Sequence, residues 1–213
     1  MQNRPGKLLC VGLNYADHAR ESNLALPSAP LCFAKWTTSL IGDGDDVLMP
    51  RATEKLDYEA ELAVVIGRRA LDVSVEDALD YVAGYACFND LSTRDLQAAD
   101  GQWTRSKSFD TLGVLGSMVP ASAVPDPNKL HIRCTLNGET VQDSNTSEMV
   151  FSVASIISYF SQDTTLEAGD VIATGTPAGI GLAKRPPRFL TDGDVVSVEI
   201  ERIGSITNRI RRR

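Results

Sequence analysis

The sequence predicts a single α+β domain in which strands outnumber helices. Several apolar runs have the length of strands and are bounded by turn sequences rich in Gly and Asp. Helical patterns are fewer, and they do not alternate regularly with the strands as in a doubly wound fold. No repeat, low-complexity linker or break in composition divides the 213 residues. We therefore expect mixed or antiparallel sheets in one domain spanning 1–213, with flexible ends at 1–6 and 208–213.

The strand patterns differ in kind along the chain. "KLLCVGLNY", from Lys7, is a continuous apolar run, and "LAVVIG", from Leu62, is rich in β-branched residues. "HIRCTLNGETVQD" predicts a hairpin, because two alternating runs meet at Asn137 and Gly138. "DVIATG" and "DVVSVEIERIG" each follow a turn sequence rich in Gly and Asp, which indicates two further strands.

Three segments carry helical signals. "SVEDALDYVAGY" opens with a serine cap at Ser74, has Glu76 in its first turn and then repeats apolar residues at helical spacing. "MVFSVASIISYFSQ" predicts a mostly buried helix. "NYADHARES" predicts a short helix opened by Asn14, a residue type that suits an N-cap.

Charge and composition narrow the classes of partner. The formal net charge is −7 and the one basic cluster is the terminal "RIRRR", which argues against nucleic-acid binding. No run approaches the ~18 apolar residues of a membrane span, and nothing resembles a signal peptide, so we expect no membrane partner. The four cysteines lie far apart, and Cys10 and Cys87 fall inside apolar runs. This pattern predicts buried free thiols and a cytoplasmic location.

Three carboxylates at alternate positions precede the "LAVVIG" strand. Asp57, Glu59 and Glu61, in "DYEAE", would share one face if the strand begins this early, since residues i and i+2 project from the same side. Crowded carboxylates repel one another, and burying them unpaired costs several kcal/mol per charge. Either exposure to solvent or a shared divalent cation would relieve this repulsion.

A further aspartate favours a shared divalent cation over exposure to solvent. Asp90 in "GYACFNDLSTRDLQ" ends an apolar run, where a strand would deliver its side chain to a cleft. Two glutamates and an aspartate form an all-oxygen ligand set, which suits Mg²⁺, Mn²⁺ or Ca²⁺ rather than zinc. Three protein ligands would leave coordination positions for water or an oxygen-rich substrate.

A series of motifs running through nearly the whole chain resembles the fumarylacetoacetate hydrolase family. In order they are "VGLNYADHARE", "FAKWTTSLIG", "DYEAELAVVIG", "GYACFNDLSTRDLQ", "KSFDTLG", "LNGETVQDSNTSEMVF", "LEAGDVIATGTPAGIG" and "FLTDGDVVSVEIERIG". The resemblance is to the short, single-domain type that includes acylpyruvate hydrolases and oxaloacetate decarboxylases. It implies a strand-dominated mixed β-sheet roll or sandwich with few helices, and a divalent metal on Glu59, Glu61 and Asp90. Asp57 falls outside that triad and is expected to hydrogen-bond beside it.

The chain departs from the family pattern in two places. Leu112 and "GSMVP" stand where the family often has a Phe and a "GP" pair, which bears on the shape of the pocket. The match begins near residue 7, so we expect no counterpart of the N-terminal domain that larger relatives carry.

The candidate catalytic residues follow from spacing and from the resemblance. His18 and Glu21 are three residues apart, so on a helix they share a face and can pair; by itself this spacing also fits a surface ion pair. The family's His-x-x-Glu dyad, on a mobile lid, implies that His18 is the general base and that Glu21 orients it. The resemblance also implies that Lys107 supplies positive charge to a developing oxyanion or enolate. His131 has no comparable partner and is interpreted as structural.

Four further residues are expected to contact the substrate. Arg94 and Gln97 carry planar donors that suit a carboxylate. Thr176, in "TGTPAGIG", is expected to offer a hydroxyl or backbone donor to the same group, and Lys35 to line the rim of the pocket. The glycine-rich stretch matches neither common nucleotide-binding motif.

The resemblance implies a metal-dependent hydrolase that cleaves a C–C bond in an acylpyruvate-like 2,4-dioxo acid, releasing pyruvate. Mg²⁺ or Mn²⁺ is expected as cofactor, and Ca²⁺ is a further option. The same residues would also suit oxaloacetate decarboxylation or isomerisation of 2-hydroxy-dienoate acids, and a non-catalytic binder of 2-oxo acids is the alternative from another class. Relatives of this type commonly form homodimers, so we expect one here.

Overall fold

The computed structural model describes residues 4–213, which form four α-helices and fifteen strands. The helices are α1 (Ala16–Ser22), α2 (Arg94–Asp100), α3 (Trp103–Lys107) and α4 (Val153–Ser161). The strands of the first half are β1 (Leu8–Gly12), β2 (Leu31–Ala34), β3 (Leu40–Ile41), β4 (Val47–Met49), β5 (Leu56–Asp57), β6 (Ala60–Ile66), β7 (Val82–Asp90) and β8 (Ser92–Thr93). Those of the second half are β9 (Gly113–Leu115), β10 (Val119–Pro120), β11 (His131–Leu136), β12 (Glu139–Asn145), β13 (Val171–Ala173), β14 (Val195–Ile200) and β15 (Gly204–Arg212).

Two large sheets make up the fold. An eight-stranded mixed sheet has the order β2-β1-β13-β6-β7-β9-β3, with β10 pairing on β7. A five-stranded sheet has the order β12-β11-β14-β15-β4. A short third sheet pairs β5 with β8 next to the start of β6. The predicted strand-dominated α+β fold is confirmed.

The main core lies between the two large sheets. Leu62, Val64 and Ile66 are fully buried on one face of β6, as their alternation predicts. They share a hydrophobic cluster with Ile132 of β11 and Val198 of β14. Because that face of β6 fills the core, the other face is free to carry Glu61 toward a cleft.

The hairpin and two of the three predicted helices are confirmed. Asn137 and Gly138 both have positive φ, the geometry of a tight turn between β11 and β12. In α4, the Ser152 side chain accepts a hydrogen bond from the Ser155 amide as an N-cap. Helix α1 forms as expected, but Tyr15 and not Asn14 occupies its N-cap.

The helix predicted for residues 74–85 is wrong. Only a short 3-10 turn forms at Ala78–Tyr81, and β7 begins at Val82. β7 pairs with β6 from Val82 to Asn89, and this ladder outweighs the local helical spacing.

The flexibility expected of residues 1–6 and 208–213 stays a prediction. Residues 208–212 lie in β15, which pairs with β14 and β4. Of residues 1–6, the first three lie outside the described residues. Within the described part of the chain, no helix is long and apolar enough to cross a membrane.

Candidate active site

The two central strands of the large sheet bring three carboxylates together. Glu59 immediately precedes β6, Glu61 lies within it, and Asp90 is the last residue of β7. The Asp90 amide donates to the Glu59 carbonyl at 2.9 Å, which sets the two strand ends side by side. One carboxylate oxygen from each residue lies within 4.8 Å of the others. We call Glu59, Glu61 and Asp90 the acidic centre.

The acidic centre is buried, so a solvated strand end does not explain it. Asp90 is fully buried, and Glu59 and Glu61 are at most 6% exposed. Asp57 belongs to a different strand, because β5 ends at this residue and β6 begins at Ala60. Asp57 accepts hydrogen bonds from Arg94 Nε at 2.8 Å and from the Gly181 amide at 2.8 Å. Its place outside the triad therefore matches the prediction.

Three cations pair with these carboxylates. Lys107 Nζ donates to Glu59 Oε2 at 2.7 Å and to Asp90 Oδ2 at 2.6 Å. Lys35 Nζ lies 2.5 Å from Asp90 Oδ1. Arg94 Nη1 lies 2.7 Å from Glu59 Oε1. Glu61 pairs with no lysine or arginine among the described residues, and its Oε2 accepts a hydrogen bond from the Gly175 amide at 2.9 Å.

Glu59 and Glu61 respond oppositely to this environment. Burial opposes ionisation of Glu59, but Lys107 and Arg94 outweigh it and lower its pKa to about 2. Burial, reinforced by the like charges of Asp90 and Glu59, raises the pKa of Glu61 well above its usual range. A cation shared by the acidic centre would relieve the repulsion at Glu61. The burial, the oxygen ligands and the unbalanced charge therefore fit a divalent metal ion.

A cavity of about 360 Å³ adjoins the acidic centre. The sequence-predicted residues that line it are His18, Glu59, Glu61, Arg94, Gln97, Lys107 and Thr176. Lys35 does not line this cavity, so the prediction that it lies at the rim is wrong. Its ammonium is buried behind Asp90, where it also donates to the Leu112 carbonyl at 3.0 Å. Leu112 itself is fully buried and does not line the cavity.

The predicted His18–Glu21 pair lies close together without a direct hydrogen bond. His18 Nδ1 is 3.7 Å from Glu21 Oε2 and is buried without a hydrogen-bond partner. Both Glu21 oxygens accept from the Gly179 amide, at 3.1 and 2.9 Å.

The second histidine does have a partner, contrary to expectation. His131 Nε2 lies 2.8 Å from Asp143 Oδ1 on the neighbouring strand of the hairpin. Both side chains are at least half exposed, and neither lines the cavity. The pairing is a surface contact between strands.

Arg94 has one guanidinium nitrogen to spare. Its Nε binds Asp57, and its Nη1 meets Glu59 and donates to Gln97 Oε1 at 3.0 Å. Its Nη2 is buried without a hydrogen-bond partner, and the residue lines the cavity. A substrate carboxylate would complete its hydrogen bonding.

Gln142 supports the site and was missed in the sequence. It is the one fully buried residue of β12, at 1% exposed. Its Oε1 accepts from the amide of Ala60, which lies between the two glutamates, at 3.0 Å. Its Nε2 donates to Thr176 Oγ1 at 2.8 Å. The available signal was a glutamine opposite Cys134, at an inward position of the predicted hairpin.

Comparison with known protein families matches residues 7–211 to the model described as fumarylacetoacetate (FAA) hydrolase C-terminal. The chain belongs to the fumarylacetoacetate hydrolase family. Among relatives in this family, the rat protein named oxaloacetate tautomerase Fahd2a, mitochondrial, is 44% identical over 209 residues. That alignment covers 97% of this chain and 67% of the rat protein.

Solved structures of the fumarylacetoacetate hydrolase family share the fold. A 2-hydroxyhepta-2,4-diene-1,7-dioate isomerase from Mycobacterium marinum has a TM-score of 0.87 and 39% identity, covering 98% of this chain and 75% of that one. A fumarylpyruvate hydrolase from Pseudomonas aeruginosa, in complex with Mn²⁺ and pyruvate, has a TM-score of 0.89 and 31% identity, covering 97% and 90%. The acidic centre of this chain could hold a divalent metal ion.

Proposed function

We propose that this protein is a divalent-metal-dependent enzyme that cleaves a C–C bond in 2,4-dioxo acids by hydrolysis. One observation carries the proposal: Glu59 and Glu61 of the acidic centre line a single cavity together with Arg94 and His18. These are the groups needed to bind a 2-oxo acid and to move a proton beside it. The Pseudomonas relative, crystallised with Mn²⁺ and pyruvate, supports both a metal and a 2-oxo acid in this family.

Glu59, Glu61 and Asp90 would hold the metal. When bound, a dication supplies positive charge that stabilises negative charge developing on the substrate oxygens. The oxygen ligands favour Mg²⁺ or Mn²⁺, with Ca²⁺ as a further option. Lys107, between Glu59 and Asp90, keeps a second positive charge at the same end of the cavity. Arg94 binds the substrate carboxylate through Nη2, and Gln97 and Thr176 line the cavity beside it.

His18 acts as the general base, and Glu21 orients it. His18 takes a proton from water, and the hydroxide formed attacks the distal carbonyl of the 2,4-dioxo acid. The C–C bond on the pyruvate side then breaks, releasing the acyl group as a carboxylic acid. Pyruvate leaves as its enolate and recovers a proton from His18, which restores the starting state. One water is consumed and two acids are formed.

A second candidate is tautomerisation of oxaloacetate. The 44% identical rat protein named oxaloacetate tautomerase supports it. The reaction needs a proton moved between carbon and oxygen of a bound 2-oxo acid, with no attacking water, so His18 and Arg94 would keep their roles. Decarboxylation of oxaloacetate, isomerisation of a dienoate acid, and binding without turnover use the same binding groups.

The deciding experiment is calorimetric titration of Mg²⁺ and Mn²⁺ into chelator-treated protein. We compare wild type with the double variant Glu59→Gln, Glu61→Gln. The matched control is Glu199→Gln, Glu201→Gln, because these two glutamates have the same spacing and are exposed. The proposal predicts binding to wild type and control and none to the Glu59, Glu61 variant. Absence of binding to wild type, with oxalate present as an enolate mimic, would refute the metal site and the chemistry that rests on it.

Activity assays then separate the candidate reactions. Hydrolysis of acetylpyruvate, followed by pyruvate release, supports the main proposal. Enol–keto conversion of oxaloacetate without loss of carbon supports the second candidate. If the protein binds a metal but catalyses neither reaction, the remaining candidate is a non-catalytic 2-oxo acid binder.

The homodimer and the cytoplasmic location remain predictions made from the sequence. Light scattering of the purified chain tests the first. The rat relative is named as mitochondrial, so fractionation of cells expressing the native protein is needed for the second.

A further inference from the structure

The cavity beside the acidic centre has two unlike ends. Its lysine and arginine, Lys107 and Arg94, both lie within 2.7 Å of Glu59 and therefore at the acidic end. Much of the remaining wall is apolar. We call this part the apolar wall; it comprises Leu13, Leu24, Leu31, Trp103, Ile180 and Leu182.

Part of the apolar wall is exposed to an unusual degree. Leu24 is 56% exposed, Leu31 43% and Leu182 44%, which makes them three of the ten large hydrophobic residues exposed on the described chain. Single exposed leucines need no explanation, but several around one cavity indicate a surface that a ligand covers. The leucines come from three separate segments, so local sequence does not account for their meeting.

An aromatic side chain gives the apolar wall a fixed shape. Trp103 of α3 packs against Gly12, where a Cβ atom would stand 2.5 Å from the indole ring. Trp103 also meets the Phe33 ring edge-on, with centroids 5.5 Å apart. A preformed apolar surface of this kind is typical of small-molecule sites.

The charges of the cavity suit one carboxylate. Among residues 4–213, no lysine or arginine other than Lys107 and Arg94 lines it. Lys107 is occupied by Glu59 and Asp90, and Arg94 has a single buried nitrogen without a partner. A second carboxylate at the far end of a substrate would find no further lysine or arginine on the cavity wall, and a tail that covers the leucines would have to leave it unpaired.

We infer that the acyl part of the substrate is apolar, so that the enzyme prefers monocarboxylate acids with an alkyl or aryl tail to dicarboxylates. This inference rests on the proposed function, since Arg94 must hold the 2-oxo acid end. The tail then extends over the apolar wall and covers Leu24 and Leu31. Each methylene that it buries strengthens binding by about two- to fourfold.

The first test measures binding without turnover. The metal-loaded protein is titrated calorimetrically with straight-chain 2-oxo acids of four to eight carbons, and with 2-oxoglutarate as a dicarboxylate. We expect affinity to rise about two- to fourfold per methylene over this series. We expect 2-oxoglutarate to bind at least about tenfold more weakly than the five-carbon monocarboxylate. Equal or tighter binding of the dicarboxylate overturns the inference and leaves the proposed function standing. Failure of every 2-oxo acid to bind overturns both.

The second test places a cation on the apolar wall. Leu24→Lys should flatten the chain-length series and shift the affinity ratio toward 2-oxoglutarate by about tenfold. Leu26→Lys is the matched control, because Leu26 is also 56% exposed and does not line the cavity. Leu31→Lys, on β2, should repeat the effect of Leu24→Lys from a different segment. If Leu24→Lys and Leu31→Lys both behave like Leu26→Lys, the inference is wrong.

Discussion

Asp57 Oδ2 accepts a hydrogen bond from Arg94 Nε at 2.8 Å, and neither side chain is more than 5% exposed. The same carboxylate accepts from the amides of Gly181 and Leu182. Asp57 therefore joins the arginine to the loop that forms one side of the cavity. In this orientation Nη1 meets Glu59, and Nη2 is buried without a hydrogen-bond partner.

Asp57→Asn should weaken both the fold and substrate binding. The change keeps the size of the side chain but leaves the buried Arg94 charge less well paired, so the free energy of unfolding should fall by about 3 kcal/mol. The Michaelis constant for a 2-oxo acid should rise about tenfold. Urea unfolding and steady-state kinetics measure the two effects. Asp143→Asn, at the exposed His131 pair, is the control and should cost less than about 1 kcal/mol. Equal losses in the two variants would contradict the assignment.

Gln142→Met should loosen the segment that carries Glu59 and Glu61. The Ala60 amide would lose its buried acceptor, which costs about 1–3 kcal/mol of unfolding free energy. Metal affinity should fall about tenfold, as is typical when a group that orients metal ligands is removed. Gln162→Met, at an exposed glutamine, is the control for both measurements. Unchanged metal affinity in Gln142→Met would limit the residue to a purely structural role.

His18→Ala should separate proton transfer from binding. Loss of a general base lowers kcat by about 10²- to 10⁴-fold. Metal affinity should stay within about twofold, since no acidic-centre residue hydrogen-bonds to this side chain. His131→Ala removes the other histidine, at the protein surface, and should leave kcat unchanged. A hydrolysis rate for His18→Ala within about threefold of wild type would refute His18 as the base.

The thiols should react unequally in the folded protein. Cys32 is exposed, whereas Cys10, Cys87 and Cys134 are buried. Burial raises the pKa of Cys87 to about 12 and also raises the pKa of Cys134. With a disulfide reagent at pH 8, one thiol per folded chain should react quickly and all four in denaturant. Cys32→Ser should abolish the fast phase, and a fast phase that survives would contradict the burial of the other three.

The raised pKa of Cys87 determines whether the free energy of unfolding rises or falls at alkaline pH. The unfolded Cys87 thiol releases its proton near pH 8.5, below the folded value of about 12. The folded state therefore binds more protons in this interval, and the free energy of unfolding should fall as the pH rises through it. The urea midpoint at pH 7.5 and pH 10 measures the change. Cys87→Ala should reduce the loss, and an identical loss in that variant would assign it to other groups.

Patterns over a few consecutive residues correctly predicted those elements that local sequence specifies. The alternation in β6, the Asn137-Gly138 hairpin and the apolar helix α4 are of this kind. The pattern of residues 74–85 misled because its helical spacing was local, whereas β7 is stabilised by its ladder with β6. Asn14 was misassigned for the same reason, since its side chain bonds to Phe151 and Thr174 instead of capping α1.

The sequence by itself determined the strand-rich fold and, with the motif order, the carboxylates that meet in the acidic centre. Alternation and strand ends are local properties, so Glu59, Glu61 and Asp90 could be singled out without coordinates. Only the tertiary structure decided which cation faces which carboxylate. Lys35 lies beneath Asp90 through a contact between residues 55 apart, and Gln142 reaches Ala60 across 82. Such contacts depend on how sheets and loops pack. They cannot be predicted from the residues that are close to each partner in the sequence.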